Sequence, residues 1–265
     1  MILKIAIMAI CLTVQSAAYA GLDEAIAAYR VKDYESAVRE LEPLANKGNP
    51  QAQVILGGLY LHGSGVQRNP EKALDLYKKA AAQGLPSAQY NLGNAYFKGD
   101  LVHQDYQQAA SWYRKAANQG FAEAQNGLAI LYFDGLGVAK DIQAGISWLQ
   151  KAAQNGYAKA QDNLGRAYRE GWGVPIDLRS AEYWHRKAAV QGDPQALNNL
   201  GAMNELGYGT KKNLLVAYVC YALSAKLGYD RSNSYRLKAQ LSSADLTTAN
   251  SIVERWSPGN PLPKE

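Results

Sequence analysis

"AQDNLGRAYREGWGVPIDLRSAEYWHRKAAVQG" spans residues 160–192, and most of it recurs along the chain at a fixed spacing. Ala52, Ala88, Ala124, Ala160 and Ala196 each open a related block, so the period is 36 residues with no insertions. The openings read "AQVILGGLY", "AQYNLGNAY", "AQNGLAILY", "AQDNLGRAY" and "ALNNLGAMN". A strict period of this length marks stacked supersecondary units rather than one globular core.

Inside each block the spacing is helical. Leu56, Leu92, Leu128, Leu164 and Leu200 lie four residues after the alanine, and Tyr60, Tyr96, Tyr132 and Tyr168 four further on, which makes an apolar stripe. Gly57, Gly93, Gly165 and Gly201, with Ala129 in the third block, remove bulk where a second helix must approach. That second helix carries an alanine, then Trp112, Trp148 or Trp184, then an Ala-Ala pair. Small residues facing large ones allow close interdigitation, so the aromatics are expected in the core. Asn49-Pro50 and Asp193-Pro194 read as N-caps of first helices. Asn69, Asp105, Asp141, Asp177 and Asn213 read as N-caps of second helices, and Gly84, Gly120, Gly156, Gly192 and Gly228 as their terminators.

The loop between helices repeats as well. "GWGV" (171–174) matches "GSGV" (63–66), "GLGV" (135–138) and "GYGT" (207–210), with "GDLV" (99–102) in the second block. None continues into a third glycine at phosphate-loop spacing or into Gly-Lys-Ser/Thr, so the glycines belong to a turn. The residue between them changes from block to block, as Ser64, Asp100, Leu136, Trp172 and Tyr208. Only that residue is free to serve function.

These signatures, "A-x-x-x-L-G-x-x-Y-x-x-G-x-G-V" and "W-Y-x-K-A-A-x-x-G", resemble the Sel-1-like repeat, a relative of the tetratricopeptide repeat. The resemblance implies an all-α, right-handed solenoid of helix-turn-helix units, with five repeats over 52–231. Residues 21–51 look like a tetratricopeptide-type helix pair without the glycine loop. Residues 232–256 read as a capping helix, and 257–265 as a disordered tail. Terminal caps are expected because each repeat buries its apolar face only against neighbours.

Residues 1–20, "MILKIAIMAICLTVQSAAYA", have an early lysine, an apolar run and a small-residue end at Ala18-Tyr19-Ala20. That is the pattern of a secretory signal cleaved after Ala20, too short to span a bilayer. The expected product is periplasmic or secreted, without a transmembrane segment. Of the two cysteines only Cys220 would remain, so no internal disulfide forms. The formal charge of +5 is dispersed, which gives no concentrated basic face for nucleic acid.

Catalytic constellations are scarce. His62, His103 and His185 fall in separate repeats without metal-ligand spacing, so neither a metal nor another cofactor is expected. His185 stands in the column of Tyr77, Tyr113 and Tyr221 and reads as a packed aromatic substitute. Cys220 stands in the tryptophan column and reads as buried filler. Cysteine-rich members of the resembled family are associated with penicillin binding or β-lactamase activity, which makes a cell-wall or β-lactam hydrolase the alternative function. This chain lacks their paired cysteines and any Ser-x-x-Lys.

Candidate binding residues lie on the first helices, on the face that lines the concave groove in this repeat class. They change between blocks while the core columns stay fixed: Tyr90, Asn91, Asn94 and Phe97; Asn126 and Phe133; Asp162, Asn163, Arg166 and Arg169; Asn199 and Glu205. Asparagine amides suit the backbone of an extended peptide, and exposed phenylalanines would anchor its side chains. The expected partner is therefore a protein or peptide, bound by an adaptor, envelope-assembly factor or host-facing scaffold.

Overall fold

The computed structural model describes residues 21–263. The expected signal peptide lies outside the described residues. Helical backbone over 21–30 (α1) is followed by α2 (Tyr34–Asn46), α3 (Pro50–His62), α4 (Pro70–Ala82), α5 (Pro86–Lys98), α6 (Tyr106–Asn118) and α7 (Ala122–Asp134). Then come α8 (Ile142–Gln154), α9 (Ala158–Glu170), α10 (Leu178–Val190), α11 (Pro194–Leu206), α12 (Leu214–Lys226), α13 (Ser232–Lys238) and α14 (Ser243–Arg255). The described residues contain no strand, and no helix among them is long and apolar enough to cross a membrane. The architecture is an all-α repeat solenoid.

Two compact units are present, and α7 contributes to both. One runs to Ala124 and includes Leu136–Val138; the other is Gln125–Gly135 and Ala139 onward. In the first unit α2 packs on α3, α3 on α4, α4 on α5 and α5 on α6. In the second, α8 through α12 pack in sequence, with α13 and α14 closing on α12.

The caps follow the sequence. Asn49, Asn69, Asp105, Asp141, Asp177, Asp193 and Asn213 each accept a hydrogen bond from a first-turn backbone N–H. This satisfies donors that the helix itself leaves unpaired. In the glycine loops both glycines take left-handed backbone, with φ of +71° at Gly171 and +70° at Gly173. The second glycine also lets the loop seat on the preceding second helix. A Cβ at Gly173 would fall 2.6 Å from Ile142 Cγ2, and one at Gly209 would collide with the Leu178 carbonyl.

Within a repeat, the helical glycine accommodates an aromatic ring. A Cβ at Gly57 would sit 2.8 Å from the Tyr77 ring, and one at Gly201 2.8 Å from Tyr221. The corresponding Cβ positions at Gly93 and Gly165 would overlap the rings of Tyr113 and His185. Burial pushes the Tyr77 hydroxyl up to about 12, as expected for a phenol taken out of water. The third repeat solves the same problem differently, with Ala129 in the glycine column and Leu149 in the ring column.

In each of the first four repeats a buried first-helix glutamine pairs with an exposed amide just past the second helix, and Gln53 and Gln161 also bond back to the preceding helix pair. Gln53 donates to the Ala45 carbonyl (3.1 Å) and accepts from Gln83 (3.1 Å), and Gln161 does the same with Ala153 (3.0 Å) and Gln191 (2.8 Å). Gln119–Gln89 (2.9 Å) and Asn155–Gln125 (3.0 Å) complete the series. Such groups are retained in a core only when paired. The fifth repeat replaces both partners at once, by Leu197 and Leu227, so neither amide is stranded.

Three expectations need correction. Trp112, Trp148 and Trp184 are half-buried rather than core. Lys115, Lys151 and Lys187 lie over them, 3.9, 4.1 and 5.4 Å from the ring centroids, since an exposed indole face attracts an ammonium. The single capping helix is two, because the chain turns after Lys238 and Ser242 caps α14 through the Asp245 N–H. The described part of the tail is packed rather than disordered. Leu262 is buried, the Gly259 N–H donates to the Val190 carbonyl (2.7 Å) and Arg186 donates to the Pro263 carbonyl (3.2 Å).

Gly93→Ala should destabilise the protein by about 1–3 kcal/mol, because overpacking outweighs the ~1 kcal/mol helix preference of alanine. Adding Tyr113→Leu reproduces the Ala129/Leu149 combination and should recover at least half of that loss. Urea unfolding midpoints of the three proteins check this.

Candidate functional site

The third repeat is where the frame opens. Leu149 occupies less space than the rings of its column, and Gly145 replaces the alanine found as Ala73, Ala109, Ala181 and Ala217. Phe133 turns into that space, and a Cβ on Gly145 would overlap its ring. The sequence places Phe133 as an exposed anchor; it is buried, at 6% exposure. Its neighbour is Trp172, from the glycine loop after α9, with ring centroids 4.2 Å apart. Trp172 keeps 44% of its surface exposed.

Beside these two rings lies a pocket of about 250 Å³, lined by Asn126, Ile130 and Asp134 of α7, Leu149 of α8, and Asn163, Arg166 and Glu170 of α9. Four candidate residues thus meet at one place: Asn126, Phe133, Asn163 and Arg166. Asn163 Nδ2 faces Asn126 Oδ1 at 3.4 Å, a weak hydrogen bond that orients the two amides. Arg166 and Asp134 are exposed, and neither makes an ion pair or hydrogen bond among the described residues. The pocket therefore offers an aromatic wall, paired amides and one uncommitted charge of each sign. Trp172 was singled out in the sequence by its place between frame glycines, but nothing there linked it to Phe133.

Other candidates are committed elsewhere. In the first unit, Asn91 and Asn94 line a separate, more polar cleft with Leu61, Arg68 and Lys98, where Asn94 also accepts from the Tyr113 hydroxyl at 2.6 Å. Phe97 is half-buried between Tyr106 and Tyr113, and Tyr90 packs on Tyr113 and Phe121, so neither is the free anchor expected. Arg169 spans Glu170 (2.8 Å) and Asn199 (3.3 Å). Glu205 accepts two bonds from Arg236 (2.6 and 2.7 Å) and one from Tyr221 (2.9 Å). The Arg236 bonds hold its carboxyl below the usual range.

Asp162 is not a groove residue. It is 3% exposed and accepts from His185 Nδ1 at 2.7 Å and from Asn199 Nδ2 at 2.9 Å. His185, fully buried, replaces a tyrosine ring as the sequence anticipates, and the carboxylate is what allows an imidazole there. His185 Nε2 is buried and has no hydrogen-bond partner among the described residues. Cys220 is also fully buried, and burial pushes its thiol up to about 12, which suppresses the reactive thiolate. Asp162→Ala should lower stability by about 1–3 kcal/mol by stranding His185 Nδ1, whereas Asp162→Asn, which keeps an acceptor, should cost less. Thermal unfolding of both variants checks the order.

The comparisons agree with this architecture. The Sel1 repeat model matches residues 50–85, 86–121, 122–157, 158–193 and 194–229. A solved Sel1 repeat protein from Oxalobacter formigenes is 31% identical, with a TM-score of 0.66, over 83% of this chain and 98% of its own. The protein c5321, described as a protective antigen of uropathogenic Escherichia coli strains displaying an SLR fold, is 33% identical with a TM-score of 0.67. That match covers 82% of this chain and 52% of c5321. The immunity protein Pa5087 from Pseudomonas aeruginosa shares the fold at 23% identity and a TM-score of 0.50, over 90% of this chain and 89% of its own. No curated protein matches. The chain belongs to the Sel1-repeat family, solenoid scaffolds that generally serve protein–protein interaction.

Proposed function

We propose that this protein is an exported recognition scaffold that binds an extended peptide segment of a partner protein at the pocket between α7 and α9. The observation that carries this reading is Trp172. It is a large aromatic, exposed on a glycine loop and backed by Phe133, beside a free Arg166. A half-exposed indole on a fixed frame contributes contact area with little loss of side-chain entropy on binding. The Asn126 and Asn163 amides supply donors and acceptors for a peptide backbone, and a partner side chain enters against the two rings.

Export rests on the N-terminal twenty residues, whose charge, apolar run and Ala18-Tyr19-Ala20 end suit a cleaved signal. An envelope or host-facing setting also accords with the likeness to a protein described as a protective antigen. Four candidates outside the pocket serve to hold the frame: Asp162, Arg169, Asn199 and Glu205 form hydrogen bonds within the chain.

Peptides selected from a display library against the mature protein test the reading. Trp172→Ala and Arg166→Ala should each weaken the selected peptides by about tenfold or more, with unfolding midpoints unchanged. Lys115→Ala, on the outer face of α6, should leave affinity intact. Selected peptides that bind the Trp172 and Arg166 variants as tightly as the parent would refute the proposal.

A further inference from the structure

The C-terminal cap holds a second surface with a different chemistry. Between α12, α13 and α14 lies a cleft of about 300 Å³ whose floor is aliphatic, formed by Ala222, Ala225 and Val253. Its rim carries Lys226, Arg231 and Lys238, and among the described residues no acidic side chain lines it. Tyr235 stands at the same rim, 68% exposed.

These three cations have no ion-pair partner among the described residues. Arg236, on the same short helix as Lys238, is neutralised by Glu205, with bonds of 2.6 and 2.7 Å. Arg231 and Lys238 make no ion pair among the described residues, and Lys226 bonds only the Val253 carbonyl, at 2.9 Å. Like charges grouped without a counter-charge repel one another, and an anionic partner relieves that cost. The tyrosine likewise has no stacked ring or cation among the described residues.

We infer that this cleft docks an acidic peptide segment of a partner protein, with an aromatic or aliphatic side chain on the aliphatic floor beside Tyr235 and carboxylates on Arg231 and Lys238. A bare phosphate would use the cations and leave the floor and ring to water. A peptide that alternates acidic and apolar side chains covers both. The cleft lies outside the α7–α9 pocket and shares none of its residues, so either surface can be lost without the other.

The test is fluorescence anisotropy with a labelled synthetic peptide that carries a central phenylalanine flanked on both sides by glutamates. Binding to the mature protein should weaken steeply with added salt, as exposed charge pairs are screened. Arg231→Glu combined with Lys238→Glu should weaken it by about tenfold or more, and Tyr235→Ala by several-fold. A lysine-flanked version of the peptide should not bind. All three substituted side chains are exposed, and circular dichroism of the variants should match the parent. Equal binding by the charge-reversed variant would overturn the inference. So would displacement of the peptide by inorganic phosphate at millimolar concentration, which would make the cleft a simple anion site. Preferential sedimentation with phosphatidylglycerol vesicles, lost in the same variant, would overturn it in favour of a membrane surface.

Discussion

Every repeat in this chain depends on how closely its two helices approach, and in four of the five that distance is set by a ring lying on a glycine. Tyr77 on Gly57, Tyr113 on Gly93, His185 on Gly165 and Tyr221 on Gly201 are variants of one contact. Because an added methyl group has nowhere to go, the contact fixes the register of both helices. Gln53 and Gln161 then bond back to the Ala45 and Ala153 carbonyls of the preceding helix pair, and the left-handed glycine loops seat against the preceding second helix. With the frame held this way, a substitution at an outward position changes the surface without moving the helices.

The third repeat exchanges the ring for Leu149 and the glycine for Ala129, and moves the position without a side chain to Gly145. The volume released is filled in part by Phe133 and otherwise opens as the pocket that Trp172 overlooks. A departure from the core pattern and the main surface feature of this region are thus one event. The fifth repeat shows the same linkage, where Leu197 and Leu227 replace two amides together and Glu205 is recruited to hold Arg236.

Most of the frame was legible in the sequence because its constraints are local and repeated. The caps at Asp105 or Asn213 and the terminating glycines need only one helix to explain them. Long-range choices were less visible. Asp162 looks like a groove residue by position, and only the imidazole of His185 in place of a tyrosine draws it inward. Phe133 looks exposed until Gly145 is recognised as its seat. The tail from Ser257 to Pro263 has the composition of a disordered segment, yet Leu262 and the Gly259 N–H find partners on the last repeats. Trp172 was marked by its variable slot between fixed glycines, which is a local signal; its partnership with Phe133 is not.

The central claim is that the frame columns carry stability while Trp172 and its neighbours carry recognition. It is tested most directly by nuclear magnetic resonance of residues 21–265 with nitrogen-labelled indoles, titrated with a peptide that binds them. The account predicts that the Trp172 indole resonance shifts in proportion to bound peptide, while those of Trp112 and Trp148, covered by Lys115 and Lys151, stay in place. Saturating binding with the Trp172 resonance unmoved would contradict it.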